Sequence, residues 1–143
     1  MSGEPIQILL IEDNPDHAVL VMRNLKNFCV ANKVSHVEDG ELALQFLDES
    51  VGKNNRPHLI LLDLRLPKID GLEVLKYIKT NNKLSDIPVV VLTTSEAEKD
   101  VARAYNYHAN SYIVKPVDFS KFTELMNTLG FYWICWNKHP FNS

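Results

Sequence analysis

Three short apolar runs constrain this chain more than any other feature. Ile6 to Ile11, His58 to Leu64 and Ile87 to Thr93 are dominated by aliphatic residues, and polar or acidic residues lie at their ends. Runs this apolar, without polar alternation, suit strands covered on both faces, as in a parallel sheet. Lys33 to Glu38 and Ser111 to Val114 are weaker strand candidates. Helical spacing fills the gaps. Ala18, Met22, Leu25 and Cys29 mark one face; Leu42, Phe46 and Leu47 a second; Leu72, Leu75 and Ile78 a third; Val101, Ala104 and Tyr105 a fourth; Phe119, Phe122, Leu125, Met126 and Leu129 a fifth. Asn14-Pro15 places a capping residue before a proline suited to a first helical turn. Asp70 with Glu73, and Ser95 with Glu98, have capping-box spacing.

Five strands alternating with five helices predict right-handed crossovers and helices on both faces of one sheet. The 143 residues fit a single domain, with no internal repeat. Ser50 to Arg56 is predicted to be a polar loop, and Phe131 to Ser143 is a tail of different composition. A formal net charge of -3 gives no broad basic surface for nucleic acid. There is no apolar run long enough to span a membrane and no signal-peptide pattern, so a cytoplasmic location is expected. Cys29 and Cys135 lack metal-type spacing and are expected as free thiols.

Ligands of open α/β sheets bind beyond the carboxyl ends of the strands. Glu12 and Asp13 follow the first expected strand, Asp63 ends the core of the third, Thr93 ends the fourth and Lys115 follows the fifth. Three carboxylates in one crevice raise each other's pKa, and a hard divalent cation relieves the repulsion. Magnesium prefers oxygen ligands and is often shared between carboxylates and a phosphate. An aspartate can itself become an aspartyl-phosphate. Singly, each residue has a plainer role: Asp13-Asn14-Pro15 and Asp70 as helix caps, Lys115 as a solvated lysine, Thr93 as a strand residue. Asp63 resists that explanation, since it ends an apolar run where an unpaired charge is costly. The shared strand end is what joins the residues into a site.

Four ordered motifs carry a closer resemblance: Leu10-Ile11-Glu12-Asp13-Asn14, Leu61-Leu62-Asp63-Leu64-Arg65-Leu66-Pro67-Lys68-Ile69-Asp70-Gly71, Val91-Leu92-Thr93-Thr94-Ser95 and Tyr112-Ile113-Val114-Lys115-Pro116. Over about residues 5 to 130 the chain resembles the receiver domains of two-component response regulators. The resemblance implies a flavodoxin-like, CheY-like, doubly wound five-stranded parallel sheet of order 2-1-3-4-5 with five helices. It implies Asp63 as phosphoacceptor and a magnesium ion on Asp13, Asp63 and the Arg65 backbone carbonyl, with Glu12 acting through water. It further implies Thr93 as the switch hydroxyl, Lys115 as the phosphoryl partner, Tyr112 as an inward-turning aromatic, and Pro116 as a proline after a cis peptide. Arg65 and Ser95 occupy positions where family members differ and where side chains influence water attack.

No output domain is recognisable after the fifth helix, so the chain resembles single-domain regulators. Among these it is similar to the short regulators of bacterial and cyanobacterial phytochrome histidine kinases. The implied function is to accept a phosphoryl group from a sensor histidine kinase, of phytochrome type, and to signal by conformational change. Passing the group to a histidine phosphotransfer protein is the alternative. Catalysis beyond the chain's own phosphorylation and dephosphorylation is not expected. A haloacid dehalogenase-type phosphatase would want an aspartate where Arg65 stands. A flavin carrier would want a hydroxyl- and glycine-rich loop in place of Glu12-Asp13-Asn14. The tail segment Phe131-Tyr132-Trp133-Ile134-Cys135-Trp136 is expected to support a homodimer with the face of helix 4, strand 5 and helix 5.

Overall fold

In the computed structural model the chain is described over residues 6–27, 32–104, 109, 111–115 and 119–128. The element order is β1 (Ile6–Ile11), α1 (Pro15–Asn27), β2 (Asn32–Val37), α2 (Gly40–Gly52), β3 (Leu59–Asp63), α3 (Gly71–Thr80), β4 (Val89–Thr93), α4 (Glu96–Ala104), β5 (Ser111–Val114) and α5 (Phe119–Thr128). The strands form one parallel sheet in the order β2-β1-β3-β4-β5, as the motifs implied.

Strand alternation divides the core in two. Ile6, Ile8 and Leu10 pack with Leu59, Leu61, Val90 and Leu92 beneath α1 and α5, through Ala18, Val21, Leu25 and Leu125. Leu9 and Ile11 pack with Ile60, Leu62, Val89 and Val91 on the opposite face, beneath α2, α3 and α4, through Ala43, Leu47, Val74, Leu75, Ile78 and Ala102. β3 and β4 are buried along their whole length. Each large aliphatic side chain so buried contributes about 1.5–3 kcal/mol.

Register then sets the rim. Ile11 pairs with Leu62, so Glu12 arrives beside Asp63. Asp63 pairs with Leu92, which puts Thr93 one residue beyond it. Thr93 pairs with Val114, so Lys115 is the next residue out.

Several expected details shift. β3 begins at Leu59 rather than His58, although the His58 backbone N–H still donates to the Gln7 carbonyl at 2.7 Å. β4 begins at Val89, because Leu84 to Ile87 close a turn first, with the Ile87 N–H on the Leu84 carbonyl at 3.0 Å. β2 runs one residue earlier than expected. α2 continues through Gly52, two residues past Ser50, into the predicted loop. The Ser50 hydroxyl donates back to the Leu47 carbonyl at 2.8 Å, so a polar residue is accommodated inside the helix. The chain leaves this helix through Asn54 at φ 54°, a left-handed conformation that asparagine tolerates. Leu42 and Val101, read as core-facing, are 42% and 57% exposed. Ala43 and Ala102 take the inner positions instead. Tyr105, Leu129, Cys29, Cys135, Pro116 and the tail, with the side chains of Ala104, Phe119, Phe122 and Met126, lie outside the described residues.

Candidate functional site

Two glycines let the rim loops close. A Cβ on Gly71 would lie 2.4 Å from the Leu64 carbonyl oxygen and 2.5 Å from that of Asp63. A Cβ on Gly40 would lie 2.0 Å from the Ile69 carbonyl oxygen. The loop after β3 therefore lies directly against the start of α3 and against the β2–α2 turn. α1 is anchored by Asn14, whose Oδ1 accepts from the backbone N–H of Asp16 at 2.9 Å and of His17 at 3.2 Å.

Glu12, Asp63 and Thr93 are buried, whereas Asp13 is exposed. One carboxylate oxygen each from Glu12, Asp13 and Asp63 lies within 4.8 Å of the others. The Lys115 ammonium reaches into this group, with Nζ 2.9 Å from Glu12 Oε1 and 3.3 Å from Asp63 Oδ1. The Arg65 backbone N–H donates to Asp63 Oδ1 at 3.3 Å. Glu12 is further fixed by the Asn14 N–H on its Oε2 at 3.2 Å, while His36 Nε2 meets its carbonyl oxygen at 2.8 Å.

Burial pushes the Asp63 carboxyl up to about 8, aided by the hydrogen bond and charge of Glu12 and opposed by Lys115 and the Arg65 N–H. One ammonium among three carboxylates leaves surplus negative charge. The donors are all hard oxygens, the set that magnesium or manganese prefers. The cluster can thus hold a divalent cation, and the high proton affinity of Asp63 marks the charge that such a cation would offset.

Strand alternation explains which predicted residues meet. Glu12, Asp63 and Lys115 continue the face that packs beneath α1 and α5, and they converge. Thr93 continues the face beneath α4. Its hydroxyl shares its one proton between the Ser95 carbonyl at 3.3 Å and the Ile113 carbonyl at 3.5 Å, away from Asp63. Tyr112 is half-buried on that same side, packed against the α2–α4 core. Ser95 caps α4, its Oγ accepting from the Glu98 N–H at 3.1 Å. The Arg65 side chain, 76% exposed, pairs with Glu98 rather than with Asp63. Sequence reasoning missed two participants. His17 brings Nδ1 to 3.0 Å from Lys115 Nζ, and Glu98, expected only as a cap residue, is also the partner of Arg65. The signal for His17 was its place in the first turn of the helix that follows Glu12-Asp13.

Residues 8–127 match the response regulator receiver domain family. The chain belongs to that family. It is 44% identical over 138 residues to the probable methanogenesis regulatory protein FilR2 of Methanothrix harundinacea, covering 96% of this chain and 89% of that one. It is 41% identical over 135 residues to the response regulator Rcp1 of Synechocystis, covering 93% and 92% respectively. Among solved structures, the bacteriophytochrome response regulator AtBRR superposes with a TM-score of 0.81 at 42% identity, covering 91% of this chain and 96% of that one. The phosphorylated cyanobacterial phytochrome response regulator RcpA superposes at 0.75 with 39% identity, covering 92% and 95%. The manganese-bound form of Rcp1 superposes at 0.72 with 41% identity, also covering 91% and 95%. The protein is therefore a response-regulator receiver of two-component signalling whose relatives include phytochrome regulators. No described helix of this receiver is long and apolar enough to cross a membrane.

Proposed function

We propose that this receiver takes a phosphoryl group onto Asp63 from the phosphohistidine of a sensor histidine kinase of the phytochrome type, and signals by the change of shape that follows. The observation that carries the reading is the surround of Asp63, a buried carboxylate with oxygens of Glu12 and Asp13 within 4.8 Å and the Lys115 ammonium at 3.3 Å. An Asp63 carboxylate oxygen forms the new bond to phosphorus. The bond from phosphorus to the donor imidazole nitrogen breaks, and the electron pair goes to the imidazole. Lys115 neutralises one phosphoryl oxygen and Thr93 donates its hydroxyl to another, while Tyr112 turns into the space that Thr93 leaves. Arg65 and Ser95 overlook the phosphoryl group and set its exposure to water, and Pro116, the proline that follows Lys115, modulates the site. Asp13, Asp63 and the Arg65 carbonyl, with Glu12 through water, would hold a magnesium ion, which would supply charge compensation. Relatives solved in phosphorylated and manganese-bound forms support both parts of this reading.

The receiver catalyses only its own phosphorylation and dephosphorylation, and works in the cytoplasm. The aromatic segment 131–136 joins the α4, β5 and α5 face in a homodimer, which sedimentation of the intact chain against one ending at Gly130 would reveal. The central test is intact mass after incubation with magnesium and an acyl phosphate. One phosphoryl group is expected on the parent and none on Asp63→Asn. Equal acid-labile phosphorylation of both would remove Asp63 from its role.

A further inference from the structure

An ammonium has three N–H donors and no acceptor. Among the described residues, three groups stand around Lys115 Nζ: Glu12 Oε1 at 2.9 Å, Asp63 Oδ1 at 3.3 Å and His17 Nδ1 at 3.0 Å. Two are carboxylates inside the site. The third is a ring nitrogen on α1, at the solvent side of the crevice, on a side chain 42% exposed. Because Lys115 can only donate, His17 Nδ1 is the acceptor in this contact, and the ring proton belongs on Nε2. The backbone of His17 is held in place. Its backbone N–H is fixed by Asn14 Oδ1 at 3.2 Å, and the adjoining Ala18 is buried against the sheet.

We infer that His17 is a positioning residue for Lys115, holding the ammonium from the solvent side so that its remaining donors face Glu12 and Asp63. This inference rests on Asp63 being the phosphoryl acceptor. A phosphoryl group arriving on Asp63 needs one of those donors, and the lysine must offer it without swinging out to water. Lysine carries a flexible four-carbon stem, and fixing its head in advance removes an ordering cost from the transfer. His17 Nδ1, itself 3.9 Å from Glu12 Oε2, adds a third partner to Glu12 and Asp63 and leaves a carboxylate contact as the one to be exchanged for a phosphoryl oxygen.

The test compares the full-length parent with His17→Ala, His17→Gln and His17→Phe. Single-turnover phosphorylation by an acyl phosphate with magnesium is expected to be about fivefold slower in His17→Ala, the rate equivalent of one ordinary hydrogen bond. The half-saturating donor concentration should not change. His17→Gln, whose side-chain carbonyl can accept, should recover most of the rate, and His17→Phe should not. Nitrogen-15 NMR without metal supplies the independent readout: the protected Lys115 ammonium signal should weaken in Ala and Phe and return in Gln. Parent-like rates and an unchanged ammonium signal in His17→Ala would overturn the inference, as would equal rates in Gln and Phe. If the parent itself gains no phosphoryl group, the Asp63 reading fails, and the ammonium signal still decides whether His17 holds Lys115.

Discussion

Arg65 and Glu98 tie the loop after β3 to the first turn of α4. The Arg65 Nε donates to Glu98 Oε2, while Glu98 Oε1 accepts the Thr94 backbone N–H at 2.9 Å. One nearly buried carboxylate thus joins the segment that follows Asp63 to the segment that follows Thr93. Burial alone would raise the Glu98 carboxyl, but the Arg65 and Thr94 hydrogen bonds outweigh it and hold it below its usual value.

Glu98 should accordingly matter more to stability than a residue on a surface helix. Glu98→Ala removes both the loop tie and half of the α4 cap, and should cost about 1 kcal/mol. Glu98→Gln retains an acceptor for Thr94 and should cost less. Because the folded carboxyl titrates below the unfolded one, this stabilisation is present above the ordinary value of 4.5 and is lost as pH falls through the folded value. Urea unfolding at neutral and acid pH would show the difference between parent and Glu98→Ala shrinking in acid.

Asp63 has the opposite dependence. Its carboxyl moves from 3.8 up to about 8 on folding, chiefly through burial and then through Glu12. Between those values the unfolded chain has released a proton that the folded chain keeps, so stability falls as pH rises across the window. Below 3.8 both states hold the proton and the penalty disappears. Asp63→Asn never ionises and should lack this slope. Without metal it should be more stable than the parent at pH 8, by on the order of several kcal/mol, and close to it near pH 4. Saturating magnesium should narrow the gap. Denaturant midpoints at several pH values, with chelator and then with magnesium, measure both effects, and a gap independent of pH would show Asp63 titrating as an ordinary carboxyl.

Gly71 and Gly52 make a matched pair. At Gly71 a methyl group would press on the carbonyl oxygens of Leu64 and Asp63 at 2.4 and 2.5 Å, so the loop after Asp63 must move. Gly71→Ala should cost about 2 kcal/mol and slow phosphorylation. At Gly52, in the last turn of α2, nothing lies within 4 Å of the added atom. Gly52→Ala should leave phosphorylation unchanged and be neutral or stabilising by about 0.5 kcal/mol. Thermal unfolding and single-turnover rates of the two variants separate steric from propensity effects.

The residues that register alone brings together were legible from the sequence. Glu12, Asp63 and Lys115 each follow or end an apolar strand, and parallel pairing aligns strand ends. Contacts that depend on how helices lean on the sheet were not. His17 and Lys115 are 98 residues apart, and Arg65 and Glu98 are 33 apart, with no local pattern linking either pair. Core-facing positions were misread where two apolar residues adjoin, at Leu42-Ala43 and Val101-Ala102. A period of 3.6 cannot choose between neighbours. Close packing of helix on sheet chose the smaller alanine. Ser50 looked like loop because its polarity hides a hydroxyl satisfied by the preceding turn of its own helix.

Thr93 supplies the last prediction. Its hydroxyl faces the carbonyls of Ser95 and Ile113, bridging the β4–α4 loop to β5, and contributes nothing to the group around Asp63 in this arrangement. To reach a phosphoryl oxygen on Asp63 it must give up both bonds, and the loop carrying Ser95 must follow. A new phosphoryl group brings up to about two negative charges and strong acceptor oxygens, enough to compete for a hydroxyl held at 3.3 and 3.5 Å. The conformational change is then favoured by the difference between these two sets of contacts. Thr93→Ala removes the donor from both states and should uncouple them. It should still accept a phosphoryl group on Asp63, within about a few-fold of the parent rate, because Lys115 remains in place. Its response should fail, however: amide chemical shifts of Tyr112 and Ile113 in β5 should move on phosphorylation of the parent and stay near their starting values in Thr93→Ala. Thr93→Ser, which keeps the hydroxyl, should restore the movement. Shifts of parental size in Thr93→Ala would mean that the signal leaves Asp63 by another route, and the Arg65–Glu98 tie would then be the next connection to cut.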